Sequence, residues 1–406
     1  MRSALIICCC LASGCGSSTP GAPPNAIVIG ELLPFTGAQA ASGTNVERAI
    51  TMVVDAVNGA GGIGGRPLFL VPRDTHSNPD RGFAAALDLI DNHHALAILG
   101  PSEGDLAQRL AITAADRNIP FISGGTELPE GLSMPSAGYF FRTVPSALAL
   151  ANVLSQKMVS DGVSHPLILA INDGYGTTFS TVMADQLQKL GNVTAEVALF
   201  GTGSQSLNDV VRSSTSKNPD AVVIITYPDS GASLVQAWTA TSATSVRYYL
   251  APSLKTDVFL QNVPPSSLIS MSGVSPAVAS DAPAFAASFT KRWAGDFPLP
   301  EAYFYYDATA LCVLAIAEAV HAGDLTGTTI RDHIPTVSAS GSPVAWFELP
   351  NGLGLISGGA NIDYRGTSGS VDLNPTKGEP DQGLVQLWQV ENGAIVDGDL
   401  QFATPQ

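Results

Sequence analysis

The amino-acid sequence predicts a two-domain α/β protein built on parallel sheets, and three observations carry this. The chain has 406 residues, and a single hydrophobic core rarely grows past about 250–300 residues. Its composition, 45% hydrophobic and 13% charged, is that of a packed globular protein rather than a disordered one. Short, continuously apolar runs alternate with amphipathic stretches of helical period, and the alternation occurs twice. Such runs signal parallel strands covered by helices on both faces.

The elements follow in order. Residues 27–30 are a short β-branched strand. Residues 45–58 place Val46, Ala49, Ile50, Val53, Val54 and Val57 at helical spacing. The glycines from Gly59 to Gly65 stop that helix, and residues 68–71 read as the next strand. A helix near 80–92 leads to a strand at 95–99, and a helix near 105–117 leads to a strand at 120–122. A break falls at Thr143-Val144-Pro145. The second block runs helix 148–158, strand 167–171, helix 179–190, strand 221–226, helix 233–239 and strand 247–250. Two long helices, near 282–293 and 302–321, precede a Gly-rich, β-like final stretch that contains the run 384–390.

The N-terminus reads as an address. Met1-Arg2-Ser3 is a short positive start, and residues 4–12 are apolar but too short to span a bilayer core of about 30 Å. The small residues Ser13 and Gly14 precede Cys15, which gives residues 1–14 the grammar of a cleaved signal peptide. The run Leu11-Ala12-Ser13-Gly14-Cys15 resembles a bacterial lipobox and implies lipidation of Cys15. Ala12 stands where a leucine is usual, and ordinary secretion with cleavage nearby is the alternative. Residues 15–25, rich in Gly, Ser and Pro, form a tether. No other segment reads as a transmembrane helix.

Charge and cysteines exclude several function classes. The net charge is −16 with no Lys/Arg cluster, so the basic footprint that a nucleic-acid binder needs is missing. Four of the five cysteines crowd the N-terminus, leaving Cys312 in an apolar helical run as a buried hydrophobe. One body cysteine allows neither an internal disulfide nor a cysteine metal site. His93-His94 reads as an exposed helix end. No metal and no cofactor is expected.

Ligand sites in open α/β sheets lie beyond the C-terminal ends of strands, where helix N-terminal N–H groups point outward. The strand-ending segments 33–37, 100–104, 123–126, 173–176 and 227–230 are small and polar. Hydroxyls and free N–H groups suit an oxyanion, and tyrosines add an apolar face with one polar handle. Any one such loop is accounted for by helix capping; five of them across two blocks point to a shared site. Gly59-Ala60-Gly61-Gly62-Ile63-Gly64 fits G-x-G-x-x-G, but it follows a helix and precedes a strand, the reverse of a dinucleotide fingerprint. Gly100-Pro101-Ser102-Glu103-Gly104 fits G-x-S-x-G between strand and helix, which makes a serine hydrolase with Ser102 as nucleophile the catalytic alternative. It lacks an upstream His-Gly-Gly run to build an oxyanion hole.

The ordered motifs resemble the type I periplasmic solute-binding proteins of the branched-chain amino-acid (leucine/isoleucine/valine) transport group, over about residues 27–396. The run Asn58 to Leu68 with Asp74 and Pro79 carries most of the likeness. Gly100-Pro101-Ser102, Asp173-Gly174-Tyr175-Gly176, Tyr306-Asp307-Ala308 and Tyr364 to Gly369 support it. The resemblance implies two Rossmann-like lobes with parallel sheets joined by three crossover strands, near Thr143, near 274–276 and near 362–364. The N-terminal lobe is then 26–143 plus 276–361, and the C-terminal lobe 144–275 plus 362–406. It implies a ligand in the cleft, anchored in the first lobe by Ser102 and Thr126 with Gly125 beside them. Tyr175 and Tyr227 close from the second lobe. The acidic position of amino-acid-binding members falls at Ser253, which supplies no charge, so Glu103, Glu127 and Asp229 are the acids left for that role.

As function, the resemblance implies capture of a small polar, amino-acid-like ligand without catalysis. The protein is expected as an exported monomer at the periplasmic or extracellular membrane face, touching the membrane only through its lipid and delivering ligand to an ABC permease. A ligand sensor signalling to a membrane receptor is the alternative.

Overall fold

A computed structural model describes residues 21–37, 39–125, 136–201, 204–241 and 246–403. The candidates Cys15, Thr126 and Glu127 lie outside the described residues. The first lobe opens with β1 (Ile27–Leu33), α1 (Ala40–Gly59), β2 (Leu68–Asp74), α2 (Pro79–Asp91), β3 (Ala97–Leu99), α3 (Gly104–Arg117), β4 (Phe121–Ser123) and β5 (Phe140–Arg142). The second lobe runs α4 (Ala147–Ser160), β6 (Pro166–Ile171), α5 (Gly174–Gly191), β7 (Glu196–Phe200), α6 (Ser204–Thr215), β8 (Ala221–Ile225), α7 (Pro228–Thr241), β9 (Arg247–Leu250), α8 (Asp257–Gln261) and β10 (Met271–Pro276). The chain then returns through α9 (Ala282–Arg292), α10 (Pro300–His321), α11 (Gly327–His333), β11 (Ser342–Ala345), α12 (Leu349–Ser357), β12 (Ile362–Gly366) and β13 (Gly369–Ser370). It ends in the hairpin β14 (Gly383–Glu391) and β15 (Ala394–Ala403).

The first sheet has the order β2-β1-β3-β4-β5, with every pairing parallel. Side chains alternate between its faces. Ile27, Ile29 and Leu33 join the core formed with α1 and α10, and Leu32 joins the core formed with α2 and α3. The second sheet has the order β15-β14-β10-β9-β8-β6-β7; its strands from β7 to β10 pair in parallel, and β14 and β15 add antiparallel. The apolar runs 167–171 and 221–225 are buried throughout, as parallel interior strands require.

Beyond the short elements α8, α11, β11 and α12, which it did not include, the sequence reading differs from the structure at three places. The strand β7 and the helix α6 are additional. β7 lies at the sheet edge with Val197 and Leu199 exposed, and α6 is mostly polar, so neither carries the apolar run of an interior element. The expected third crossover at 362–364 is too early. Ile362, Tyr364, Val371 and Leu373 pack in the first lobe's core, and β12 pairs with β11, so the chain leaves this lobe only after Leu373. Finally, α10 is long and apolar enough to cross a membrane, contrary to expectation, but most of it is buried within the first lobe. A helix apolar all round is also what the centre of a large core demands.

The three connections lie side by side. At the first, the Thr143 amide donates to the Ser123 carbonyl (3.0 Å) and its hydroxyl to the Phe304 carbonyl (2.7 Å). At the second, the Ala277 amide donates to Leu384 (2.8 Å) and the Ala279 amide to Thr367 (3.1 Å). At the third, Arg142 and Glu379 form a buried ion pair at 2.9 Å, their side chains 5% and 7% exposed. Asp307 on α10 fastens the segment before it. Its carboxylate accepts from the Tyr364 hydroxyl (2.8 Å), the Thr367 amide (2.8 Å) and hydroxyl (3.1 Å), and the Ser368 amide (2.8 Å) and hydroxyl (2.5 Å).

Candidate functional site

The C-terminal ends of both sheets face a cleft of about 710 Å³, lined by Gln39, Ser77, Ser102 and Glu301 from the first lobe and by Tyr227, Asp229 and Thr256 from the second. Beside it lies a recess of about 170 Å³, where Glu103 and Asp105 meet Asp173, Tyr175 and Tyr227. Several of the polar "loops" of the sequence are helix N-termini. Residues 174–176 are the first turn of α5, capped by the Asp173 carboxylate through the Gly176 amide (2.8 Å), and Pro228-Asp229-Ser230 opens α7. Such ends present unpaired N–H groups toward a ligand.

On the first-lobe side, Ser102 is 6% exposed, and its hydroxyl lies 3.0 Å from the Tyr305 hydroxyl on α10. Tyr305 also reaches Ser123 (3.2 Å), which donates to the Pro101 carbonyl (2.6 Å) and accepts from the Gly125 amide (3.0 Å). The network holds Ser102 from behind. Gly125 is not among the residues lining the cleft. A Cβ there would sit 2.9 Å from the Ser102 Cα and carbonyl oxygen, so its role is close approach of the two strand ends. Among the described residues, Ser102 has no histidine partner and no histidine lines the cleft. Burial drives the pKa of the Tyr305 phenol strongly upward.

On the second-lobe side, the Tyr227 hydroxyl donates to Asp173 (3.1 Å), and the Tyr175 and Tyr227 rings lie 6.0 Å apart. The Ser253 hydroxyl donates to the Thr226 carbonyl (2.6 Å), which leaves its oxygen to accept from the Tyr175 hydroxyl (3.1 Å). Ser253 lines neither space; it props Tyr175. The lobes touch where α3 meets α5: a Cβ on Gly174 would lie 2.3 Å from the Asp105 Oδ1.

The charges in the site are all negative. Glu103, Asp105, Asp173, Asp229 and Glu301 line the two spaces, and no Lys, Arg or His does so among the described residues. Glu103 is 8% exposed and accepts from the Thr75 hydroxyl at Oε1, while its Oε2 is buried without a hydrogen bond. Burial raises its pKa, against the pull of Thr75 and of nearby backbone N–H groups, and the Glu301 charge adds to the rise. Asp105, Glu301, Gln39, Ser77 and Tyr305 escape a sequence reading because they come from segments far apart in the chain with no motif of their own. Among the described residues no cluster of His, Cys, Asp and Glu could hold a metal ion.

Residues 26–352 match the family model described as periplasmic binding protein. The chain belongs to the periplasmic binding protein family. A substrate-binding protein of a chemotactic signal transduction system, BasB of Halobacterium salinarum, is 27% identical over 362 residues, covering 86% of this chain and 83% of that one. Among solved structures, the leucine binding protein LivK of Thermotoga maritima superposes with a TM-score of 0.75 at 17% identity, covering 94% of this chain and 99% of that one. A solute binding protein of an ABC transporter from Rhodopseudomonas palustris, in complex with 3,4-dihydroxy benzoic acid, superposes at 0.72 and 15% identity, covering 94% and 98%. These two likenesses establish the type I fold, two parallel-sheet lobes joined by crossovers, and leave the ligand open. The family works outside the cytoplasm, binds small ligands for ABC transporters or chemotaxis systems, and is not a family of enzymes. The serine hydrolase alternative is thereby set aside.

Proposed function

We propose that this chain is an exported clamp that captures a small polar ligand between its lobes and presents it to a membrane partner. The observation that carries the reading is the cleft, lined by Ser102 from one lobe and Tyr227 from the other, with Tyr175 beside Tyr227 in the adjoining recess. Thr126, which the family likeness pairs with Ser102, is the second hydroxyl proposed to hold the ligand. Residues 1–14 act as the export signal, Cys15 carries the lipid, and residues up to 25 are the leash. The lobes are 26–143 with 276–373 and 144–275 with 383–406, working as a monomer without cofactor. Ligand binding favours the closed population because only the closed state contacts the ligand from both sides.

The partner is an ABC permease in the first reading. The chemotactic relative, similar over most of both chains, favours a second, in which the closed clamp reports its ligand to a membrane receptor. Protein purified without unfolding and then denatured should release a small molecule identifiable by mass spectrometry, and that molecule should rebind at one per chain. A broad metabolite screen in which nothing rebinds contradicts the proposal. Cells lacking the chain should lose uptake of that molecule if the partner is a permease, and movement toward it if the partner is a receptor.

A further inference from the structure

We infer that the site is built for a ligand carrying a positively charged amine, whose ammonium seats against Glu103 in the recess beside Tyr227, and that a carboxylate on the ligand is not required. The inference rests on the capture reading and names the ligand class for it. Its first ground is the state of Glu103. A side chain 8% exposed has one carboxylate oxygen hydrogen-bonded to Thr75 and the other buried with no hydrogen bond. A buried acceptor left unpaired is costly unless something supplies a donor, and an ammonium offers up to three N–H groups in a compact head.

The second ground is the composition of the walls. The recess brings Glu103 and Asp105 of the first lobe against Asp173 of the second, and the adjoining cleft adds Asp229 and Glu301. Nearby cations are engaged elsewhere: Arg109, on the same helix as Asp105, pairs with Asp80 (2.7 Å), and Lys255 pairs with Asp397 (2.6 Å). A carboxylate ligand would meet five acids and no basic side chain among the lining residues. An amine meets complementary charge, with Tyr175 and Tyr227 among the residues that line the recess. The recess of about 170 Å³ takes an ammonium with a short stem, and the 710 Å³ cleft takes the remainder.

The test uses the full chain freed of bound ligand, at low salt. The probes are leucinamide and 1,4-diaminobutane (amine only), leucine (both groups), and 4-methylpentanoate and benzoate (carboxylate only). The amine-only probes should raise the melting temperature and compact the lobes in scattering, while the carboxylate-only probes do neither. Glu103→Gln keeps the side-chain volume and the acceptor for Thr75, so it should fold, yet bind amines about tenfold or more weakly. Glu103→Asp, which keeps the charge, should recover part of that loss and serves if the glutamine variant is unstable. Binding of carboxylate-only probes without amine binding, or amine affinity unchanged in Glu103→Gln, overturns the inference while leaving capture by closure intact. Failure of every probe and of a broad metabolite screen to compact the lobes removes both.

Discussion

At the scale of single residues, the site depends on how closely its two halves approach. Gly174 stands at the N-terminus of α5 with the Asp105 carboxylate where its side chain would be. A methyl group there can be met by rotation of Asp105, but a branched side chain cannot. Gly174→Val should therefore leave each lobe folded, hold the clamp partly open, and weaken ligand binding about tenfold or more; Gly174→Ala should do so less. Calorimetry on the two variants reads this directly. Ser102 is held by Tyr305, which keeps a second partner in Ser123. Ser102→Ala with Thr126→Ala should accordingly retain the fold and lose about ten- to a hundredfold in affinity. Unchanged affinity removes both residues from the site. Sequence alone placed Ser102 and Tyr227 at the cleft because each closes a strand in a motif of its own. Gly125 and Ser253, expected at the ligand, line neither space, and nothing local reveals that one spaces two strand ends and the other supports Tyr175.

At the scale of elements, the interior was legible and the edges were not. Strands such as β6 and β8 are buried on both faces and spell it out in unbroken apolar runs. The edge strand β7 and the polar helix α6 bury too little to leave such a pattern. The crossover after Leu373 was invisible for a different reason: whether a short strand belongs to one lobe or the other is decided by long-range packing, here with α10. The element that organises this region is the Asp307 anchor. Burial raises its pKa to about 6, against the hydrogen bonds from Ser368, Thr367 and Tyr364 that lower it. A folded-state value above the ordinary one means the folded protein holds this proton more tightly than the unfolded chain. The resulting stability is fully present below the ordinary value of 3.8 and is lost as pH rises through about 6. The unfolding free energy of the native protein minus that of Asp307→Asn should fall by about 2 kcal/mol between pH 4 and pH 7. Denaturant titrations of both proteins measure it. A difference that does not vary with pH contradicts the assignment.

At the scale of the whole molecule, one large sheet in each lobe, three adjoining connections and a cleft lined from both sides are the parts of a hinge. The twofold alternation of strands and helices announced the two lobes in the sequence; the acidity of the cleft did not appear there, because its five carboxylates converge from four separate segments. In the proposed reading, a lipid on Cys15 sets where the clamp works. Cells fed a labelled fatty acid should incorporate label into this chain, and Cys15→Ser should abolish the label and release the protein from the membrane fraction. Retention of label in the serine variant contradicts lipidation at that residue.

In the proposed clamp, ligand binding and lobe closure are one event, which small-angle scattering can follow. The ligand-free chain should show a radius of gyration that falls on addition of the small molecule released from the denatured native protein. The same addition to Gly174→Val should produce a smaller fall. A radius unchanged by a ligand that calorimetry shows to be bound would contradict the account.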